Sequence, residues 1–427
     1  MNAASPAARI PSSLLALLAL APLANASNVL VVGTGGYATP QAAVDAAQEG
    51  DVVLVRGGTG GALTISGKSV SVIADAGGPY VGVGRVVVQS LAAGQTVVLR
   101  GLQGTAYNQE ALHVAGNTGS VRVIGSRFLC QGTLAGSGGP GARVQSSADV
   151  AFVGCEVRGG TGTPGFNQGP YPGRTGFVAT GSRIALHDTR VYGSSGGGAT
   201  QVTGNWTSGA PGGAGLEATG TELVIVGSRV RGGNGGGGAG VASCGGYSWP
   251  TSGGAGGDAL RLSGTSTAQL LDAELVPGPG GTGGSSPCGQ ASSGLDGDAL
   301  EGPAGAATTI AGVRRALDLQ APVHEGDPVA VAFGGVPGDE VILLLSDAPA
   351  WSFAPLLHGS LLLAAPLRRV ALGIVPGSGT LDAALAVPEL GPGVDARVQH
   401  AQAIGLDASG ERWLSGPAVL VFLDQGI

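Results

Sequence analysis

His187, Asp188 and Arg190 form a compact polar cluster on one predicted strand. A histidine, a carboxylate and an arginine this close together could form a catalytic site. A calcium site would need several more converging oxygen atoms. A structural role is the stronger interpretation, because Asp188 stands where neighbouring repeats have Gly125, Gly154 and Gly227, as a turn-capping aspartate would.

Aligned repeats place further charged residues in columns, with neighbouring strands about 4.8 Å apart. Opposite charges at neighbouring positions predict a surface salt-bridge ladder. The functional alternative is a groove for a charged polysaccharide. One column reads Arg127, Glu156, Arg190, Arg229 and Glu274, and a second reads His113, Arg143, Val178, Glu217, Arg261 and Glu301.

These columns also contain carboxylates that could form a hydrolytic pair. Glycoside hydrolysis requires about 5–9.5 Å between the two carboxyl groups. Glu156 and Glu274 are three strands apart, roughly 14 Å. Glu217 and Glu301 are roughly 9–10 Å apart, but Arg261 lies between them and would hold both ionised. We therefore expect no hydrolytic pair here.

The chain is poor in aromatic residues, at 4%, yet several of them fall in the predicted loops. Exposed aromatic faces along a row of loops could stack on sugar rings, because tryptophan and tyrosine favour half-wet sites. The alternative is that they pack the loops against the body of the protein. The predicted binding residues are Tyr171, Trp206, Tyr247 and Trp249.

Four cysteines allow two disulfides in an oxidising compartment. Cys244 and Cys288 lie at nearly equal depth in successive loops, so we predict that they pair and stabilise the fold by about 2–4 kcal/mol. Cys130 and Cys155 lie in adjacent repeats and form the second predicted pair. Metal binding by these cysteines is not expected, because no histidine has the required spacing.

The repeats themselves indicate how these residues are positioned. From about residue 111, each unit reads as a short strand, a Gly/Ser turn, a second strand, a turn and a third strand. The spacings between equivalent apolar residues grow from 29 to 34, 39 and 45 residues, and the growth is confined to the connection after the third strand. These residues are Phe128, Val157, Val191, Val230 and Leu275.

Such repeats are typical of stacked units that bury a core only together. The run RGGNGGGGAG, residues 231–240, lies in one of the growing connections. We therefore predict that the glycine runs are loops on one face of a β-solenoid. Without protruding side chains, they can pack side by side as ordered extended segments.

Composition excludes several functional classes. The chain has 427 residues, 83 glycines, 11% charged residues and a net charge of −7. Because Lys68 is the single lysine and no basic cluster occurs, nucleic acid is not an expected partner. The 43% hydrophobic content argues against general disorder.

The first 26 residues are typical of a secretory signal peptide. Arg9 supplies the positive region, LLALLALAPLA the apolar region and ANA a small-residue cleavage site. No run is long enough for a membrane span, so we expect an exported protein located outside the cell or at its surface.

The segment PQAAVDAAQEGDVVLVRGG and the valine-rich repeats after it resemble the right-handed parallel β-helix proteins of the pectate-lyase-like superfamily. The resemblance covers residues 28–304. It implies coils of three strands, with a capping helix over about residues 40–49. It is weak for activity, because this fold carries lyases, hydrolases, esterases and structural proteins.

The catalytic patterns of this superfamily are mostly missing. The sequence has neither the Asp-Asp pair nor the Gly-His-Gly of its pectin hydrolases. Lys68 and Arg85 lie in the early repeats, as the base of a lyase would, but no carboxylate cluster accompanies them. We expect no cofactor, with Ca²⁺ the candidate ion if the protein is a lyase, and no other metal.

Residues 306–427 change character, with short regular strands separated by turn sequences such as GVPGDE and DASGE. This spacing predicts a β-sandwich, similar to the C-terminal modules of bacterial secreted β-helices. The sequence thus favours an all-β, secreted structural or surface protein that binds polysaccharide or cell-surface material through its loops. The alternative is a polysaccharide lyase or glycoside hydrolase.

Overall fold

The computed structural model describes residues 27–57, 60–75, 80–132, 138–162, 169–202, 205–241, 249–287, 289–353 and 357–427. The signal peptide predicted for residues 1–26 lies outside these residues. Cys244, Tyr247 and Cys288 lie outside them as well. The predictions made for these residues therefore stay predictions.

Three long parallel sheets make up the described part of the chain up to Ile310. The ten-stranded sheet consists of Val29–Val32, Val52–Val55, Val70–Ala74, Thr96–Arg100, Ser120–Ile124, Asp149–Val153, Arg183–His187, Glu222–Val226, Thr267–Leu271 and Ala307–Ile310. The seven-stranded sheet consists of Val81–Val83, Leu102–Tyr107, Arg127–Gln131, Glu156–Arg158, Arg190–Tyr192, Arg229–Arg231 and Glu274–Val276. The eight-stranded sheet consists of Leu63–Ser66, Val86–Gln89, Leu112–Ala115, Ala142–Gln145, Phe177–Thr180, Leu216–Thr219, Leu260–Ser263 and Leu300–Glu301.

The chain visits the three sheets in rotation. Ser120–Ile124, Arg127–Gln131 and Ala142–Gln145, for example, belong to the ten-, seven- and eight-stranded sheets in turn. Their inward side chains form one continuous apolar core, in which the Phe152 and Phe177 rings meet edge to face at 5.1 Å. The prediction of an all-β fold is confirmed, and the three sheets are consistent with a parallel β-helix.

An α-helix, Pro40–Ala46, lies at the start of these sheets. The Thr39 side chain accepts a hydrogen bond from the Ala42 backbone N–H, as an N-cap does, and Pro40 occupies the first turn. The helix ends three residues before the predicted limit of 49. Its buried residues are Pro40, Ala43 and Val44, which cover the end of the core.

The strand registers confirm both predicted columns of side chains. On the seven-stranded sheet, Glu156 lies between Arg127 and Arg190, and Arg229 lies next to Glu274. On the eight-stranded sheet, His113 begins the column that continues to Glu301. The column of apolar residues from Phe128 to Leu275 is also in register and points into the core.

The corner after each of five successive strands of the ten-stranded sheet, from Ser120–Ile124 to Thr267–Leu271, places one residue in the left-handed region. Its φ is +52° at Gly125, +61° at Gly154, +50° at Asp188, +57° at Gly227 and +50° at Asp272. Glycine adopts this conformation without strain, and aspartate tolerates it better than most residues. The predicted turn role of Asp188 is thereby confirmed.

The glycine-rich connections form an ordered body that we call the glycine slab, made of residues 193–199, 207–215, 232–241, 250–259, 277–284 and 291–298. One line of backbone hydrogen bonds crosses all six segments. It joins Gly213 N to Ser194 O, Gly233 N to Gly213 O, Gly257 N to Gly233 O, Gly278 N to Gly257 O and Gly297 N to Gly278 O, each at 2.8–2.9 Å. The predicted side-by-side packing of ordered loops is confirmed.

Burial within the slab repeats every three residues. Gly233 and Gly236 are buried against the neighbouring layer, whereas Asn234 is exposed and Gly237 is only half-buried. A period of three is that of the polyproline II helix. A Cβ added to Gly233 would lie 1.9 Å from the Ser194 carbonyl oxygen, so the backbones approach too closely for any side chain. An added Cβ would come as close to a backbone oxygen at Gly235, Gly236 and Gly238 but not at Gly237, so most positions of this run require glycine.

The C-terminal region, residues 315–427, forms two mainly antiparallel sheets whose side chains share one apolar core. The first sheet consists of Ala316–Leu319, Pro328–Gly334 and Thr380–Ala386. The second consists of Val323–His324, Glu340–Ser346, Arg368–Ile374, Ala396–Leu406, Arg412–Leu414 and Ala418–Leu423. Three short hairpins complete the described strands: Gln201–Val202 with Asn205–Trp206, Ser285–Ser286 with Gly289–Gln290, and Pro349–Phe353 with Ser360–Leu363.

The C-terminal region packs on the outer face of the ten-stranded sheet. Val52 and Leu54 of that sheet share a buried cluster with Val419 and Val421. A second cluster brings Trp413 against the sheet. Both faces of the ten-stranded sheet are thus buried, which explains why its strands are nearly continuous apolar runs.

The slab predicts that two glycines in one run respond differently to alanine. In Gly233→Ala, the new methyl group meets the Ser194 carbonyl oxygen and should destabilise the slab by about 1–3 kcal/mol. In Gly237→Ala, the nearest atoms are 3.7 Å away and we expect no loss. Thermal unfolding and amide hydrogen exchange of the slab measure both variants. Equal behaviour of the two variants would contradict the packing described here.

Candidate functional site

Trp206 and Trp249 are exposed at the end of the slab that is farthest from the sheets. Their exposed fractions are 37% and 69%, large for indole rings. Each tryptophan directly precedes a slab segment, residues 207–215 or residues 250–259, and these two segments are neighbours. The Ser208 and Ser252 hydroxyls are 3.1 Å apart, and the Thr251 hydroxyl donates to the Thr207 carbonyl at 2.9 Å. The two predicted tryptophans are therefore brought together on an ordered support.

Tyr171 does not lie beside them. It is half-buried, and its carbonyl accepts a hydrogen bond from Gly197 N at 2.9 Å. Phe177 is in register with Leu216 on the next coil. Six residues before this pair, Tyr171 therefore lies opposite residue 210, which is four residues after Trp206 along the chain. This offset is roughly 12 Å in an extended segment with three residues per turn. The candidate surface therefore consists of the two tryptophans.

His187 is buried under the C-terminal region and is not accessible to a substrate. Its exposed fraction is 2%, and a Cβ placed on Gly416 would come within 2.9 Å of its Cβ atom. Neither ring nitrogen has a hydrogen-bond partner among the described residues. Burial, assisted by the charge of Arg122, lowers the pKa of His187 to about 4. It is a neutral interface residue, and the predicted catalytic role has no support in this position.

A buried polar network lies beside His187. The Arg122 guanidinium binds both carboxylate oxygens of Asp149 at 2.7 Å, and Ser120 donates to the same carboxylate. His400 of the C-terminal region is also buried, and its pKa is lowered to about 3 by burial and by Arg122, against the opposing charges of Asp149 and Asp347. This network was not predicted from the sequence. Its signal was the arginine in SVRVI, where neighbouring strands are apolar.

Asp188 and Arg190 lie at the corner between the ten- and seven-stranded sheets. The Asp188 carboxylate forms an ion pair with Arg314 at 2.8 Å, and Arg314 also donates to the Gly227 carbonyl. Burial raises the pKa of Asp188, and Asp272 raises it further, although the charge of Arg314 opposes both. Arg190 is exposed. Thus Asp188 and Arg190 share a corner from which His187 is excluded.

Lys68 and Arg85, the two candidate bases, are engaged elsewhere. The Lys68 amine donates to the Val44 and Ala47 carbonyls at the C-terminal end of the helix, where a cation is stabilising. The Arg85 guanidinium binds Glu110. Burial alone would raise the pKa of Glu110, but hydrogen bonds and the charges of Arg85 and His113 hold it below its usual value.

In the second column, Arg261 lies between Glu217 and Glu301, as expected from the sequence. Arg261 contacts Glu217 at 2.9 Å and also contacts Glu301. It binds Asp258 as well, at 2.5 Å, and hydrogen bonds to the Asp298 backbone and to Arg261 keep the pKa of Asp258 low despite burial. One guanidinium therefore contacts three acids, as in a salt-bridge ladder.

The structure contradicts the predicted disulfide between Cys130 and Cys155, since both are free, buried thiols. The register places Cys155 opposite Ser126, so Cys130 lies four residues farther along its strand, roughly 13 Å away. A disulfide requires Cα atoms within about 7 Å. Cys155 instead occupies the corner position that Thr189 and Ser228 hold in later coils, where burial raises its pKa to about 12.

Two surveys of the described residues add to this picture. None of their helices has the length and apolar character of a membrane-spanning helix. No group of three or more histidine, cysteine, aspartate or glutamate side chains within them is placed to hold a metal ion.

No family model matches the chain, and no curated protein matches it. Among solved structures, the superoxide reductase (neelaredoxin) from Ignicoccus hospitalis is similar over 26% of this chain and 80% of its own. The identity is 12% and the TM-score is 0.15. A likeness at this TM-score carries no argument about fold or function.

The buried histidines predict that the protein loses stability in acid. The unfolded chain takes up a proton at His187 near pH 6.5, whereas the folded chain does so only near pH 4. The unfolded state therefore binds more protons in this window, and the free energy of unfolding falls as the pH falls through it. For His187 alone the loss is roughly 3 kcal/mol.

His187→Val tests this attribution, because apolar residues occupy the same position in other coils. Urea denaturation at pH 7, 5.5 and 4 should show a smaller loss of stability with falling pH than in the wild type. His324→Gln, at a half-buried histidine of the C-terminal region, is the control for histidine content. An unchanged pH dependence in His187→Val would show that this imidazole does not cause the acid sensitivity.

Proposed function

We propose that this protein is a secreted, non-catalytic structural or surface protein that binds extracellular polysaccharide through Trp206 and Trp249. The observation that carries the proposal is the exposure of these two rings on neighbouring segments of the glycine slab. An exposed aromatic ring with a polar edge is suited to half-wet contacts such as a sugar ring.

The slab supports binding because it holds the two residues in place before a ligand arrives. Its segments are joined by backbone hydrogen bonds of 2.8–3.1 Å along their length. A surface that is already ordered loses less conformational entropy on binding than a flexible loop does. This gives the glycine runs a function: they build a thin, rigid platform that extends from the sheets.

The state of the acidic side chains supports a non-catalytic role. Glu217 and Glu301 share Arg261, and Glu156 is bound by Arg127 at 3.1 Å. A general acid for glycoside hydrolysis needs a raised pKa, which a neighbouring arginine opposes. These acids are therefore better suited to stabilising the coils than to proton transfer.

One observation favours the alternative of a polysaccharide lyase or glycoside hydrolase. Asp188, with a pKa raised by burial, lies next to the exposed Arg190 at the same corner. An acid with a raised pKa beside a cation is a feature of catalytic sites. The experiment below includes an arm for this alternative.

The finer fold assignments belong to the same proposal. We assign the three-sheet part to the right-handed β-helices of the pectate-lyase-like superfamily, supported by the rotation among three sheets and the helix Pro40–Ala46. We assign the C-terminal region to the β-sandwiches, supported by the single core between its two sheets.

The proposal predicts that the mature protein co-elutes with a polysaccharide during size-exclusion chromatography, without shortening it. A panel of neutral and acidic polysaccharides is tested with and without Ca²⁺. The Trp206→Ala/Trp249→Ala double variant should lose at least about tenfold in affinity, since aromatic stacking of two rings supplies more than 1.4 kcal/mol.

Tyr107→Ala is the matched control, because this ring is 61% exposed but lies on the seven-stranded sheet. It should bind like the wild type. Shortened chains would establish the enzymatic alternative and direct attention to Asp188 and Arg190. Binding of neutral polysaccharides that survives in the double variant would disprove the role of the tryptophans.

A further inference from the structure

A cleft of about 750 Å³ lies where the seven-stranded sheet meets the C-terminal region. Four arginines and three acids contribute to its lining, which otherwise consists largely of glycine and apolar residues. The charged residues are Arg100, Arg190, Arg229, Arg314, Asp188, Glu274 and Asp318. The cleft contains a corner of every coil from Arg100 to Glu274, so it runs along the stack of strands.

Most of these charges already have partners. Arg314 binds Asp188, and Arg229 lies 3.4 Å from Glu274. The Arg100 guanidinium donates to the Leu319 carbonyl at 2.9 Å and so joins the two walls. These contacts shape the cleft and do not need a ligand.

Arg190 is different, because no described residue forms an ion pair with it. Its neighbour on one side, Glu156, is bound by Arg127 at 3.1 Å and by Arg158 at 3.5 Å. Its neighbour on the other side is Arg229, in direct register on a strand whose backbone is about 4.8 Å away. Because Glu274 already pairs with Arg229, Arg190 is the cation of this column without an acidic partner among the described residues, and it would attract an anion in the cleft.

The face next to the cleft has the same sign of charge. Arg158 stacks over the Tyr192 ring at 5.1 Å, and Arg231 follows Tyr192 in the same column. The outward columns of the seven-stranded sheet hold five arginines and two glutamates, on a chain whose net charge is −7. A polyanion that lies along the stack would meet these arginines in succession.

We propose that the cleft binds an oxyanion group of an extracellular glycan, a carboxylate or a sulfate ester, between Arg190 and Arg229. The planar guanidinium groups present paired N–H donors that match either group. This inference takes the class of ligand, a glycan, from the proposed function. The site itself is argued independently of the proposed function. The cleft is separate from the tryptophans at the end of the slab.

Three polymers with one backbone test the site: dextran, carboxymethyl-dextran and dextran sulfate. Isothermal titration calorimetry of the mature protein should show binding of at least one anionic polymer. Arg190→Gln should weaken that binding about tenfold, the effect of losing one charge-assisted contact. Preference for one anionic polymer identifies the group as a carboxylate or a sulfate ester.

Arg183→Gln is the matched control, since it removes the same charge from an exposed arginine of the ten-stranded sheet. It should change the affinity by less than about twofold. Because Arg190 has no ion pair among the described residues, Arg190→Gln should also retain the wild-type melting temperature. Equal losses in the two variants, or no binding of either anionic polymer, would overturn the proposal.

The Trp206→Ala/Trp249→Ala variant separates this site from the proposed function. If the cleft binds as proposed, this variant keeps its affinity for the anionic dextrans while Arg190→Gln loses it. Loss of all glycan binding in the tryptophan variant, with none in Arg190→Gln, would leave the proposed function standing and disprove the cleft. Loss only in Arg190→Gln, for every polysaccharide tested, would support the cleft and disprove the tryptophan surface.

Discussion

The distance between successive coils, about 4.8 Å, constrains the rest of this structure. Parallel backbone hydrogen bonds set that distance in all three sheets. The connections that leave the seven-stranded sheet must continue at a similar spacing, and they fold back to make a second layer. Little room then remains between backbones, since a Cβ added to Gly233 would lie 1.9 Å from the Ser194 carbonyl oxygen. The glycine content thus follows from the coil spacing.

The same spacing explains why charges on this protein form ladders. A residue repeated at one position of each coil meets its equivalents at a fixed distance, so unlike charges attract and like charges repel along a column. Arg261 pairs with Glu217 and Glu301 in this way. Arg190 and Arg229 are a place where the alternation fails. A break in an otherwise compensated ladder is physically informative, because it leaves the Arg190 charge without an ion pair among the described residues.

The periodicity of the sequence determines which features of this structure could be predicted. The columns from Arg127 to Glu274 and the turn role of Asp188 follow from local repetition, so the sequence was sufficient for both. The burial of His187 depends on Gly416, 229 residues away, and no local pattern reports such a contact. The continuous apolar runs of the ten-stranded sheet did indicate a covered outer face. They did not identify the C-terminal region as its cover.

The candidate sites also divide into features that local sequence patterns indicate and features that depend on distant contacts. The two tryptophans could be found because aromatic residues are rare here and these two fall in glycine-rich loops. Cys155 was misjudged, although it aligns with Thr189 and Ser228 and so matched a corner role in the sequence itself. Arg190 was selected for its neighbours His187 and Asp188, yet its distinction is the absence of an ion pair among the described residues. That property depends on where Glu156, Arg127 and Arg158 place their side chains. Only the assembled ladder reveals which of its charges is left uncompensated.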